Sequence, residues 1–397
     1  MAATVLQQAG LHPSILRRIN SIRLFHALRQ HPAVSQRELV DLTGVDKSTV
    51  SAIISYFHSL GLIERAQDTR KRGPGRPGDA LQLVSSAGIL AGVHIEPDRL
   101  RYVAAGLNGS PIASLDRQMP PDIADVPGAV KAGLLELAEQ AGLAFDAFRS
   151  IGVVVPGLVT NRGRLAQSPN LRLNDLELHE LLATAIGTHV HVGNDSRAAA
   201  MAEKLFGLCM DADDFIYIDS ASGVGGGLFL GGRLYGGPGG FAGEIGHLKV
   251  VPHGRLCTCG GTGCLSAYLA EHALKDRLWQ QGCRVRDLKE IGERARAGDG
   301  VVLGVLDEAG EMLGIGLADV ANLFNPPLVV LGGGLALCFE FMQAGVDRSL
   351  GKHALAAPRA QMAIALSSLS TDPVPRGALA VALDGLADPA GEGSFPW

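Results

Sequence analysis

Between Ser220 and Gly246 the chain places 12 glycines in 27 positions, including Gly223-Val224-Gly225-Gly226-Gly227 and Gly236-Gly237-Pro238-Gly239-Gly240. Glycine lets a backbone come into contact with what faces it, and it enters left-handed turns without a steric penalty. A stretch this dense demands either a backbone pressed close to a ligand or repeated tight turns. Short apolar runs surround it: ILAGVHI, IGVVVPG, HVHVGND, FIYIDS and LVVLGGG each read as a buried strand, and helical patterns alternate with them from residue 85 onward. An α/β body follows.

A chain of 397 residues, 47% hydrophobic and 19% charged, buries a large core and exceeds what one core holds, so two or three domains are expected. Global disorder is excluded. The opening MAATVLQQAG lacks a basic start followed by an apolar run, and Gly, Arg or Asp interrupts every apolar stretch before it reaches spanning length. Secretion and membrane insertion are therefore not expected. Six cysteines, three of them between Cys257 and Cys264, suit a reducing compartment with a local metal site better than a disulfide framework. The expected location is cytoplasmic.

The net charge of −5 is unevenly spread: residues 1 to 80 hold 11 Lys/Arg and 6 Asp/Glu (+5), which leaves 24 and 34 (−10) for the rest. A basic leading module on an acidic body suits phosphate contact by one domain. Ile15, Ile19, Ile22, Phe25 and Leu28 recur at helical spacing over residues 14 to 30, and Pro32 ends that helix. Ser35 and Glu38 form a capping-box pattern for a second helix, Thr43-Gly44-Val45 makes a turn, and Asp46 caps a third helix whose Val50, Ile53, Ile54, Phe57 and Leu60 pack inward. Lys47, Ser48, Thr49 and Ser51 are then left near its exposed N-terminal end, where short polar side chains approach base edges in a major groove. After Leu62-Ile63 the run Arg70-Lys71-Arg72-Gly73-Pro74-Gly75-Arg76-Pro77 returns through Leu81, Leu83 and Val84, which reads as a basic wing between two strands. Arg72 and Arg76 are placed to enter a narrow minor groove. The module resembles the winged helix-turn-helix of bacterial repressors.

In the body, VVVPGLVTNRGRLAQSPN, VGNDSRAAAMAE, ASGVGGGLFLGGRLYGG, GGFAGEIGH and CTCGGTGCLS arrive in an order and spacing that resemble the ROK family of sugar kinases and sugar-responsive repressors, over about residues 85 to 335. The leading module matches the family's repressor branch. The resemblance implies an actin-like, hexokinase-type pair of α/β lobes with a sugar cleft between them. The expected domains are a winged helix-turn-helix over 1–82, a first lobe over 83–194 and a second over 195–397, with the C-terminal end a candidate to return to the first lobe.

Three thiolates on a loop that Gly260, Gly261 and Gly263 allow to wrap around an ion suit zinc. The family pattern adds His247, so that Cys257, Cys259, Cys264 and His247 close one structural site per chain. Cys209, Cys283 and Cys338 read as buried apolar residues. For the sugar, the resemblance implies Asn170, Asn194, Asp195, Glu244 and His247, with His247 binding the metal through one ring nitrogen and facing the sugar with the other. Without the family, Asn194-Asp195 reads as a helix cap before Ser196. Ser266 stands where the family usually has a Glu, which leaves the sugar's identity open.

Phosphoryl transfer needs a phosphate cradle. Family kinases carry an Asp followed by Gly-Gly-Thr after the first strand. This chain reads Val93-His94-Ile95-Glu96-Pro97-Asp98, where two carboxylates and a proline without an N–H are expected to repel phosphates, and the second loop is altered at Ala221-Ser222. The expectation is a sugar-responsive transcriptional regulator, most simply a repressor, with no catalytic residues, acting on double-stranded operator DNA as a homodimer or higher oligomer. The alternatives are an active sugar kinase with an added DNA-binding module, and a regulator controlled by a protein partner. The tail GLADPAGEGSFPW, rich in Pro and Gly, reads as a disordered end.

Overall fold

The computed structural model describes residues 13–67, 79–221, 223–369 and 374–386. The leading module consists of α1 (Pro13–Gln30), α2 (Gln36–Thr43), α3 (Lys47–Ser59) and the antiparallel pair β1 (Ile63–Gln67) and β2 (Asp79–Leu83). Its local signals act as their chemistry requires. Ser35 Oγ accepts from the Glu38 amide at 3.2 Å while Glu38 Oε2 accepts from the Ser35 amide at 2.8 Å, and Asp46 accepts from the Thr49 amide at 3.0 Å. These bonds satisfy amides that the first helical turn leaves without partners. Leu60 departs from the inward-facing pattern and is exposed, because it follows the end of α3 and the chain then reverses at Gly61, whose φ is +68°. The wing arginines Arg70, Arg72 and Arg76, with Lys71, lie outside the described residues, as do Ser222 and the tail beyond residue 386.

The body contains two sheets built alike. In the first lobe β3 (Ile89–Ile95), β4 (Arg99–Gly106) and β5 (Pro111–Gln118) form an antiparallel meander. Strands β6 (Phe148–Val155) and β10 (Val190–Asn194) extend it in parallel on the other side of β3. Helix α4 (Val126–Gln140) covers one face. A small three-stranded sheet of β7 (Leu158–Val159), β8 (Leu165–Ser168) and β9 (Leu173–Leu176) leads into α5 (Leu178–Ile186). After α6 (Asp195–Phe206), the second lobe repeats the arrangement: β11 (Phe215–Ser220), β12 (Val224–Leu230) and β13 (Arg233–Leu234) are antiparallel, while β14 (Leu328–Gly332) and β15 (Ala363–Leu366) join β11 in parallel. Its helices are α7 (Ser266–Leu269), α8 (Glu271–Gln280), α9 (Leu288–Arg296), α10 (Gly300–Phe324), α11 (Gly333–His353) and α12 (Ala356–Gln361), and they build the largest apolar cluster.

The last helix, α13 (Val374–Leu386), leaves the second lobe and lies across β3 and β6 of the first. Small residues allow this approach: a Cβ at Gly152 would stand 2.0 Å from the Ala378 carbonyl and 2.6 Å from the Ala382 amide. Leu379, Leu383 and Leu386 of α13 then join Leu24, Phe25 and Leu28 of α1 in one apolar cluster. On the same side Arg29 donates to the Leu205 carbonyl and stacks over the Phe206 ring at 5.1 Å, placing a cation at the C-terminal end of α6. The leading module is thus packed against the body. Among the described residues no helix is long and apolar enough to cross a membrane.

Candidate ligand cleft and metal centre

Helix α6 starts between the two lobes. Asn194 is its cap: Oδ1 accepts from the Arg197 amide at 2.9 Å, and Nδ2 donates to the Gly157 carbonyl and to Asp195 Oδ1, both at 3.0 Å. The capping reading therefore holds, and the Asn194 carboxamide is engaged on both sides. Asp195 accepts from the Ser196 amide at 2.8 Å, and Ser196 Oγ donates to Asp219 Oδ1 at 2.9 Å, which ties the helix start to the end of β11. The glycine-rich strand makes this closeness possible. A Cβ at Gly225 would stand 2.0 Å from Ser196 Oγ, and one at Gly227 would stand 2.4 Å from the Ala200 Cβ. At these positions the approach that demands glycine is that of α6, within the protein.

The region around the start of α6 is acidic. Asp219 is 5% exposed, and burial, reinforced by Asp195, pushes its carboxyl up to about 7. Burial raises Asp195 as well, against the pull of His94. Glu244 is pushed up to about 7 by burial and by Asp195, with Arg197 opposing. Arg197, one turn into α6, donates to the Gly240 carbonyl and so holds the second glycine-rich loop. Asn170 sits on the turn between β8 and β9. Ser266 points away from any ligand role: it is buried, and its Oγ meets the amide of Val224 on β12 at 3.3 Å.

His247 links cleft and metal loop. Its Nε2 is 3.9 Å from Glu244 Oε2 and its Nδ1 is 3.9 Å from Cys257 Sγ. One ligand atom from each of His247, Cys257, Cys259 and Cys264 lies within 4.8 Å of the others. Two thiolates bound at 2.3 Å to one tetrahedral ion stand about 3.8 Å apart, and Cys259 Sγ and Cys264 Sγ are 3.8 Å apart. Lys249 Nζ sits 2.8 Å from Cys264 Sγ, where its ammonium would offset the charge of three thiolates bound to a metal. The residues fit a closed four-ligand metal centre. Cys209, Cys283 and Cys338 are buried and apart from it.

The turn after β3 differs from its sequence-based reading. Glu96 is not a bare carboxylate, because His94 Nδ1 lies 3.0 Å away, Arg101 Nη1 lies 3.7 Å away, and Arg99 pairs with it. The local charge is therefore balanced, a consequence of guanidinium groups that β4 brings alongside. In the leading module Lys47, Ser48 and Ser51 are exposed and Thr49 partly so, within the first five residues of α3.

The ROK family profile matches residues 98–384. The chain belongs to the ROK family. Ahead of the ROK region, a MarR family profile matches residues 16–73. The xylose repressor of Bacillus subtilis is 26% identical over 319 residues, covering 80% of this chain and 83% of that protein. The DNA-binding transcriptional dual regulator NagC of Escherichia coli is 25% identical over 368 residues, covering 89% and 90%. Among solved structures, a ROK family transcriptional regulator described as a homologue of the E. coli MLC protein superposes with a TM-score of 0.81 at 25% identity, over 94% of this chain and 98% of the other. A ROK family glucokinase from Streptomyces griseus, in complex with glucose and AMPPNP, superposes with a TM-score of 0.65 at 28% identity, over 74% of this chain and 98% of its own. The regulator leaves 6% of this chain uncovered and the glucokinase leaves 26%.

Within this ROK body the motifs locate Asp195, Glu244 and the four metal-site residues. Sequence reasoning missed Asp219, Ser196, Arg197 and Lys249. Asp219 left one signal, a carboxylate at the end of an otherwise apolar strand. Lys249 left none, since its role depends on the bridge that sets it opposite Cys264.

Proposed function

We propose that the protein is a sugar-responsive DNA-binding transcriptional regulator, a repressor in its simplest form, whose ROK cleft serves as sensor. The observation that supports this reading is the packing, in one molecule, of a helix-turn-helix that exposes Lys47, Ser48 and Ser51 against a two-lobed ROK body. Lys47, Ser48, Thr49 and Ser51 read the major groove of double-stranded operator DNA, Arg72 and Arg76 reach the minor groove beside it, and Arg70 and Lys71 also contact the DNA. A homodimer or higher oligomer sets symmetric half-sites about one helical turn, or a multiple of it, apart.

A neutral sugar meets Asn170, Asn194, Asp195, Glu244 and His247. Asp195 and Glu244 accept from its hydroxyls, and the ring of His247 orients Glu244. Zinc is the ion that suits Cys257, Cys259, Cys264 and His247, which would hold it; its bonds would brace the loop and set the tautomer of His247. ATP turnover is not part of the reading, because the Glu96-Pro97-Asp98 turn offers a proline without an N–H and a Glu96 that holds the neighbouring cations, instead of a run of free N–H donors. These roles place the protein in the cytoplasm.

Duplexes selected from a random pool by the purified protein test this directly. Some member of a panel of mono- and aminosugars should change duplex affinity, and Asp195→Asn and Glu244→Ala should abolish that change while leaving sugar-free DNA binding intact. Sugar-dependent ATP consumption at an ordinary kinase rate of roughly 1 to 100 per second would instead establish a kinase.

A further inference from the structure

Strand β3 ends at Ile95, and the chain turns back through Glu96 to Arg99, with the Glu96 amide donating to the Arg99 carbonyl at 2.9 Å. The Glu96 side chain is only 14% exposed, yet three basic side chains converge on its carboxylate. They are His94 at 3.0 Å, Arg101 at 3.7 Å and Arg99 through Nε. Arg101 also faces Asp116, 3.6 Å away on β5. Against the upward push of burial, His94 and Arg99 hold the Glu96 carboxyl down at about 2. Burying a carboxylate this far is tolerated only because the cations surround it. Two arginines and an imidazole arranged around one oxyanion are also the donor set that binds a phosphate group, through fork-shaped N–H pairs and a ring N–H. The same end of the sheet carries the start of α6, since His94 of β3 is level with Val154 of β6 and Gly193 of β10 is level with that same residue. The turn therefore borders the space where a sugar would sit.

We propose that the β3–β4 turn is an anion site filled by its own side chain, Glu96, and that this resident carboxylate shuts phosphate-bearing ligands out of the cleft. The cations are not idle: without Glu96 they would face an empty, partly buried space and attract an oxyanion. Glu96 is thus a specificity-determining residue. It leaves the cleft open to neutral sugars and closed to phosphorylated sugars and nucleotides. The link to sugars rests on the regulatory reading above, whereas the anion site itself does not.

The test titrates full-length protein with inorganic phosphate, and separately with magnesium ATP, against chloride at matched ionic strength, following binding by calorimetry and stability by thermal unfolding. Wild type should show no saturable phosphate binding. Glu96→Ala should acquire it, with apparent affinity at least about tenfold above wild type, and phosphate should raise its Tm. Glu96→Gln, which keeps the size and loses the charge, should gain phosphate binding as well, and it decides the matter if the alanine variant folds poorly. Adding Arg101→Ala to either variant should remove the gain. The proposal is overturned if wild type binds phosphate or ATP as tightly as the variants, or if neither variant gains phosphate binding. Failure of sugar-controlled DNA binding would show in the duplex assay and leave this titration unaffected.

Discussion

Asp219 shows how one residue is set by its neighbours. Its carboxyl ends β11 beside Asp195, is 5% exposed and accepts from Ser196. Unfolded, it would ionise near 3.8, and in the fold it stays protonated up to about 7. The stabilisation from this group is therefore complete below about pH 4 and is lost as the pH rises through 7. Asp219→Asn keeps an oxygen for the Ser196 hydroxyl and removes the charge. Relative to wild type it should gain stability progressively between pH 4 and 8, reaching on the order of 2–4 kcal/mol. Denaturant melts of both proteins across that range check the trend. A difference that stays flat with pH would mean that Asp219 is ionised in the fold throughout.

The loop that carries Cys257, Cys259 and Cys264 follows directly on the segment that holds Glu244 and His247. Gly263, with φ of +73°, lies 1.8 Å from the Val251 carbonyl if given a Cβ, so the loop must pass this point bare. Cys257 and Cys264 are buried against Ala267, and the segment Glu244 to His247 is tied by the His247 amide donating to the Glu244 carbonyl at 3.0 Å. Elemental analysis of protein purified without chelator should find about one zinc per chain. Cys257→Ala should lose it, lower stability by roughly 2–5 kcal/mol, and weaken sugar binding because Glu244 moves with His247. A variant that loses zinc yet binds sugar like wild type would separate the two sites.

At the scale of the whole molecule, α13 joins three parts. It packs on the first-lobe sheet, against α6, and through Leu379, Leu383 and Leu386 into the core of the DNA-binding module. Leu383 is fully buried there. Leu383→Ala should cost about 2–5 kcal/mol, and the loss should appear in α1 as well as in α13, because their side chains share one cluster. Hydrogen exchange resolved to peptides checks this: faster exchange confined to α13 would show that the module and the body are stabilised separately.

The sequence by itself determined what local chemistry determines. Ser35, Glu38 and Asp46 act within one helical turn, apolar periodicity follows from strand and helix geometry, and the spacing of Cys257, Cys259 and Cys264 is a property of a short loop. Asp195 and Glu244 were legible because they lie inside motifs that carry the ROK resemblance. Only the tertiary structure decided that a helix, pressed against Gly225 and Gly227, accounts for part of the glycine density. The same holds for Ser266 facing the Val224 backbone, for Glu96 being surrounded by cations from the next strand, and for Arg29 meeting the end of α6. Each of these depends on a distance between segments remote in sequence or on a side chain's direction, and neither burial nor charge pairing is defined for a residue until the fold supplies its partner.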